Sequence, residues 1–400
     1  MEGARLNYRP ILLAIAVATA GVLPAFLIGG LSVQVREELE FSEGSLGLAV
    51  ATFFAFAAFA SVVMGRVVER IGSHNGMRLA ATMSAVSLLG VATLARSWTG
   101  LVFCLMLGGL ANAIAHPSTN LSLAREVPLE RQGLSFGVKQ ASIPTATLLA
   151  GLAVPLLAVT VGWRWAFAGA AVLALCIAVL VPKEEIGGVR GVKNSRVGDA
   201  RPMALIVLAL GIGLGSTAAT PLGAFVVGSS VNSGLEVETA GLLLAAGSAF
   251  SIAVRVFFGN LADRMSSGRL RIVAGMLALG VAGFAMLASG QAYLLVVGVL
   301  LAFGAGWGWP GLFNFAVVKS NPGAPAAATG ITQTGASAGA ALGPLIFGLV
   351  VEARSYSAAW MLCGAIALMA LVAILLGRHL LVKDRLRNKN SVAVADKAPT

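Results

Sequence analysis

The chain has 400 residues, 58% of them hydrophobic and 11% charged, with a mean hydropathy of +0.88. An ordinary soluble domain is about half apolar and about a quarter charged, so this composition excludes a water-soluble enzyme and points to a chain dissolved in lipid. The net charge of +11 does not indicate a nucleic-acid partner, because the basic residues are not interleaved with aromatics on any solvated segment. Cys104, Cys176 and Cys363 all lie in apolar runs and show neither disulfide nor metal spacing.

A hydrocarbon layer about 30 Å thick requires roughly 20 apolar residues per spanning helix, and on that ruler the sequence divides into twelve. The first, α1 (10–32), exceeds a signal-peptide core of about 7 to 15 residues and is expected to be retained; Thr19 is the most polar residue near its middle. Next come α2 (44–65) and α3 (76–95), joined by a charged loop. In α4 (98–121), Asn112, His116 and Asn120 fall at i, i+4 and i+8, on one face, and Pro117 is expected to loosen the helix. Lys139 and Gln140 lie about two turns into α5 (132–159), and α6 (163–181) completes a six-helix half, 1–181. The polar stretch 182–201 serves as a linker.

The second half, 202–381, repeats the plan. It comprises α7 (202–229), α8 (238–261) with Arg255, α9 (270–288), α10 (292–318), α11 (323–351) and α12 (356–381). On α10, Trp307, Trp309 and Asn314 surround Pro310; α11 supplies Gln333 and then GAALGPLIFG from Gly339 to Gly348. The tail, 382–400, is polar, basic and expected to be mobile.

Charge orients these helices, since Lys and Arg gather in short cytoplasmic loops. With an inside amino terminus, 22 of the 28 Lys and Arg fall inside and four (Arg36, Arg96, Arg164, Arg354) outside; Lys139 and Arg255 are within helices. Both termini are therefore expected in the cytoplasm, in a bacterial inner membrane.

The halves also match residue by residue. At an offset of 194, Gly47, Gly65, Glu69 and Arg70 answer Gly241, Gly259, Asp263 and Arg264; at 193, Pro117, Gly137 and Gln140 answer Pro310, Gly330 and Gln333. This is the pattern of two parallel repeats with a site between them near the membrane midplane.

The α2–α3 loop, GRVVERIGSHNGMR from Gly65 to Arg78, and the α8–α9 loop, GNLADRMSSGRLR from Gly259 to Arg271, resemble the signature loop G-x-x-x-D-R-x-G-R-[KR] of the major facilitator superfamily. The first copy carries Glu69 for Asp and lacks Arg after Gly72; the second lacks Gly after Met265. The resemblance covers nearly the whole chain. It implies an all-α membrane protein of twelve helices in two pseudo-symmetric bundles, with Gly65, Glu69, Arg70, Gly259, Asp263 and Arg264 in loops that switch between inward and outward states. The Gly-Pro run on α11 is similar to the antiporter signature, which that family carries on α5.

No Asp or Glu lies within the expected hydrocarbon region except at its edges, whereas exporters of cationic drugs in this family usually keep one in the first half. Buried charge is instead positive, and ionisable groups at membrane depth are functional candidates. The spacing R-x-x-x-G-x-x-x-D from Arg255 to Asp263 is similar to α8 of the monocarboxylate and oxalate/formate transporters, where the arginine binds carboxylate; those families often follow it with Pro, here Val256. Arg255 therefore either pairs with a substrate carboxylate or reaches the surface to brace Asp263. In the family's fold α5 faces α8, so Lys139 is expected either to flank the same cavity or to snorkel.

His116, titrating near neutrality, is either a proton carrier or a neutral hydrogen-bonded histidine. Trp307 and Trp309 either wall the cavity or pack helices. The expected substrate contacts are thus Arg255, Lys139, Gln140, Asn112, His116, Asn120, Trp307, Trp309, Asn314 and Gln333. The expected function is secondary transport of a small organic anion by a monomer in the bilayer, possible coupling to protons included, with no cofactor or metal. Export of drugs or other apolar molecules is the alternative. A sensor would need an output domain for which neither linker nor tail has room, and no nucleotide loop, nucleophile elbow or metal cluster is present.

Overall fold

The computed structural model describes residues 8–128, 135, 137–183, 202–265, 267–321 and 325–395, with side chains for all of these except Pro202, Asp263, 325–327 and 384–395. The linker expected at 182–201 lies almost wholly outside the described residues. Twelve of the helices described are long and apolar enough to cross a membrane. They are α1 (Arg9–Gly30), α2 (Glu43–Ile71), α3 (Ser73–Thr93), α4 (Trp98–Glu126), α5 (Gly137–Ala158) and α6 (Trp163–Leu180) in the first half. The second half contains α7 (Pro202–Asn232), α8 (Val237–Arg264), α9 (Arg269–Ala288), α10 (Ala292–Ser320), α11 (Pro325–Ala353) and α12 (Tyr356–Ala395). An even number of crossings leaves both chain ends on the same side.

Local chemistry sets the ends. Ser42 caps α2 by accepting from the Ser45 N–H at 3.2 Å, and Ser97 caps α4 by accepting from Gly100 N–H at 3.3 Å. Gly72, at φ 89°, occupies a conformation closed to most residues and turns the chain between α2 and α3. Several helices outrun the apolar stretch that announced them. Arg66, Glu69 and Arg70 extend α2 to Ile71, and α12 continues past Leu381 to Ala395 rather than stopping there. Lys, Arg and Leu are good helix formers in water as well as in lipid, so helix length here is not limited by hydropathy.

The two halves meet along a seam sealed most tightly at the end opposite the termini. There Gly47 of α2 lies so close to α11 that a Cβ would overlap the Pro344 carbonyl oxygen and approach Gly348 Cα at 3.2 Å. Its repeat counterpart, Gly241 of α8, meets α5 in the same way, with the Gly151 oxygen 2.9 Å from a Cβ position. The α2–α11 and α8–α5 contacts are thus one packing solution used twice, and small residues permit it because lipid gives helices no hydrophobic incentive to associate. Toward the terminal end the packing loosens: Cβ atoms at Gly65, Gly259 and Gly330 would meet nothing within 4 Å.

Outside the spans, the short helix Ser32–Leu39 presents Glu38 to α6. Its carboxylate accepts from Arg164 Nη2 at 2.7 Å and from Trp163 Nε1 at 2.6 Å. The Arg164 hydrogen bond holds Glu38 below the usual carboxylate range against a smaller opposing effect of desolvation. Because the folded pKa is the lower one, the stabilisation is present above the unfolded value of about 4.3 and is lost as pH falls through the folded value. The side chain of Glu38 is 48% exposed, so screening keeps the effect small. Melting curves of the purified protein should show a modest loss of thermal midpoint between about pH 5 and pH 3 that is reduced in Glu38→Gln; an identical pH dependence in the variant would contradict the assignment.

Candidate functional site

Two spanning helices are interrupted at the seam. In α5 a turn at Gln140 and Ala141 separates Gly137–Lys139 from the helix Ser142–Ala153. In α10 the helix Ala292–Leu301 widens to a π-helical stretch, Ala302–Gly306, breaks at Trp307 to Trp309, and resumes at Pro310. The interruptions free the carbonyls. Pro144, four residues after Gln140, has no N–H to return to its oxygen, and Trp307 stands in the break of α10, before the helix resumes at Pro310.

Arg255 fills both vacancies. Its Nη1 donates to the Gln140 oxygen at 2.7 Å and its Nη2 to the Trp307 oxygen at 2.6 Å. The residue is 5% exposed, and its Nε is buried with no hydrogen-bond partner among the described residues. The guanidinium therefore does not reach the surface. It ties α8 and α10 of the second half to α5 of the first, beside a small cavity lined by Gly137, Gly259, Gly308, Gly311 and Phe315. The side chain of Asp263, the expected brace, is outside the described residues.

Lys139 points the other way. Its Nζ donates to Asn120 Oδ1 at 2.6 Å and lies 3.5 Å from both the carbonyl oxygen and Nδ1 of His116. It is 5% exposed and belongs to the packing of α5 on α4, inside the first half. The two cations sit on opposite sides of one turn, joined through the Lys139–Gln140 peptide, and do not share partners. Along α4 the polar face grades from exposed Asn120 through half-buried His116 to Asn112, 4% exposed, whose Oδ1 has no partner among the described residues. Ser118 Oγ donates to the Ile114 oxygen at 2.8 Å and Thr119 Oγ1 to the Ala115 oxygen at 2.6 Å. These hydroxyls add to the backbone bonding beside Pro117, and α4 passes through the proline as one helix.

The tryptophans separate. Trp307 sits at the seam, its ring edge-on to Phe26 of α1 at 5.7 Å. Trp309 is fully buried inside the second half, donates Nε1 to the Gly306 oxygen at 2.8 Å, and occupies the space left by Gly215 of α7. Asn314 is half-buried, and Gln333 is exposed on α11. The residues expected in switch loops are helical instead, since α2 runs to Ile71 and α8 to Arg264: Glu69, Arg70 and Arg264 are exposed on the last turns, and Gly65 and Gly259 are half-buried.

One polar group was missed from sequence. Ser248, Ser251 and Arg255 fall at i, i+3 and i+7 on α8, one helix face. Ser248 Oγ shares a hydrogen bond of 2.7 Å with Thr147 Oγ1 across the seam, and Ser251 Oγ is buried without a partner among the described residues. The spacing was legible, but isolated serines in an apolar helix are also common packing residues.

Twelve spanning helices in two repeated halves, with interrupted helices meeting around a buried cation at the seam, define a membrane transporter of the alternating-access class. The family model described as Major Facilitator Superfamily matches residues 11–196 and 230–398, and the chain belongs to that family. Among curated proteins no sequence matches this chain. A similar solved structure is that of a bacterial homologue of the human lysosomal transporter Spinster, in an inward-facing and occupied conformation: TM-score 0.75, 14% identity, 95% of this chain and 99% of that one. At that identity the likeness concerns the fold. The protein is thus a multi-pass secondary transporter.

Lys139 gives a direct check of the geometry. Asn120→Leu should remove its short hydrogen bond and lower stability by about 1–3 kcal/mol, and adding Lys139→Met should restore most of the loss. A double variant no more stable than Asn120→Leu alone, measured by thermal unfolding in detergent, would contradict the contact.

Proposed function

We propose that this transporter moves a small organic anion, a carboxylate, across the inner membrane by alternating access, with Arg255 as the group that meets the anion. The observation that carries this proposal is a buried guanidinium whose partners are two carbonyl oxygens and whose Nε is unused. Carbonyls satisfy the hydrogen bonds of a guanidinium but not its charge, and an uncompensated buried cation is costly. A carboxylate suits the planar fork through paired charge-assisted bonds. Ser251, one turn away, adds a hydroxyl to the same helix face.

The same contacts suggest how binding couples to motion. An anion that draws one N–H of Arg255 away from the Gln140 carbonyl loosens the tie between α8 and α5, and hence between the halves. A ligand shifts a conformational equilibrium only by its differential affinity for the two states, and this exchange of partners provides one. The graded polar face of α4, from Asn120 through His116 to Asn112, is the proposed proton route. His116 is its proposed carrier, beside Lys139. With the amino terminus inside, as the charge bias indicates, the loosely packed end faces the cytoplasm and the state described is inward-facing.

Apolar export remains the competing function, favoured by the aromatic contacts of Phe26 with Phe54 and Trp307 at the seam. Uptake into proteoliposomes separates the two. Labelled mono- and dicarboxylates, offered under an imposed pH gradient, should accumulate with wild type, and Arg255→Ala should lower the rate at least about tenfold, the loss expected for a charged hydrogen-bond pair. The variant is compared at equal amounts of monodisperse, inserted protein. Undiminished uptake by Arg255→Ala would refute the role of the arginine; transport of apolar cations alone would favour export.

A further inference from the structure

The seal at the end opposite the termini contains polar contacts as well as glycines, and three hydrogen bonds there join the two halves. Glu43 opens α2, with its side chain 13% exposed. One carboxylate oxygen, Oε1, accepts from Arg36 in the first half and from the Tyr356 hydroxyl at the start of α12 in the second. The other, Oε2, is buried without a hydrogen-bond partner among the described residues. Tyr356 Oη lies 2.7 Å from where a Cβ on Gly228 of α7 would stand, so the phenol is fitted against the second half. Beside it Glu352, from the end of α11, accepts from Ser42 Oγ at 2.9 Å and from the Gly44 N–H at 3.0 Å. The carboxylate of one half thus supplies a partner to the amino-terminal turn of a helix in the other, where the helix dipole favours negative charge.

We infer that Glu43, Tyr356, Glu352 and Gly44 form a gate latch, a set of positioning residues that holds this end shut in the state described and that must release before the site can open there. The argument is geometric. All three cross-half hydrogen bonds depend on the start of α2 lying against α11 and α12 at van der Waals distance, because Gly44 leaves no room for a Cβ beside the Glu352 carboxylate. Any opening of the halves at this end separates Tyr356 from Glu43 and Glu352 from Gly44 together. Arg36 stays with Glu43, so the carboxylate keeps a cation when the phenol leaves. The latch therefore contributes selectively to one of two states, as a conformational bias requires. The inference rests on the transporter class and is independent of substrate.

Spin-label distance measurements test it. Cys104, Cys176 and Cys363 are replaced, and pairs are placed at Glu37→Cys with Arg354→Cys near the latch and at Ser61→Cys with Thr334→Cys toward the terminal end. Tyr356→Phe keeps the ring and removes only the cross-half donor; Gly44→Ala obstructs the same contact from the other side. Loss of a hydrogen bond to a charged group should change the ratio of the two states about tenfold. Each variant should lengthen distances at the first pair while shortening them at the second. Unchanged distributions in both variants, or broadening at both pairs without exchange between them, would overturn the latch.

Discussion

A guanidinium buried where no described carboxylate touches it is the constraint around which this seam is arranged. Arg255 is answered by backbone, and backbone oxygens are free at that depth because Pro144 withholds the N–H that would occupy the Gln140 oxygen and because α10 breaks at Trp307. Lipid supplies no water to satisfy such carbonyls. The helix breaks and the arginine are therefore mutually dependent: without Arg255, two buried carbonyls lose partners, and without the breaks in α5 and α10, the guanidinium has nothing to hold. The arrangement also crosses the halves, which makes a local hydrogen-bond requirement part of the conformational balance of the whole molecule.

The seam is closed by different means along its length. Glycines at Gly47 and Gly241, equivalent in the repeat, bring α2 onto α11 and α8 onto α5. The shared hydrogen bond of Thr147 with Ser248 and the ring contact of Phe26 with Trp307 follow nearer the interruptions. Polar contacts of Glu43 and Glu352 finish the closed end. Gly65, Gly259 and Gly330, repeat-related or on the matching helix, find no neighbour within 4 Å toward the termini. Small residues kept at both ends suit a molecule whose halves must pack closely at one end and then the other.

Much of the fold was legible because lipid imposes a simple ruler: a run of about 20 apolar residues, its charged flanks and the repeat of Gly47 on Gly241 fix helix number and halves. The positions of Arg255 and Gln140 near the seam were also accessible, through charge at membrane depth. What the sequence could not supply was direction. Lys139 and Arg255 read alike as buried cations, yet a single turn at Gln140 sends one toward α4 and leaves the other at the seam. Trp309 resembled Trp307 until Gly215 provided a slot for it inside the second half. Glu43 precedes the apolar run of α2 in sequence; its contact with Tyr356, 313 positions away, is visible only in three dimensions.

The most direct test of the central claim, that a buried cation at the seam meets an anionic substrate, is ligand binding to purified protein without any transport step. A ligand that binds only the native state raises its stability with concentration. Thermal unfolding against a panel of small mono- and dicarboxylates and of apolar cations should show concentration-dependent stabilisation by at least one carboxylate, absent in Arg255→Ala. Stabilisation by apolar cations alone, or by carboxylates equally in wild type and Arg255→Ala, would contradict the account.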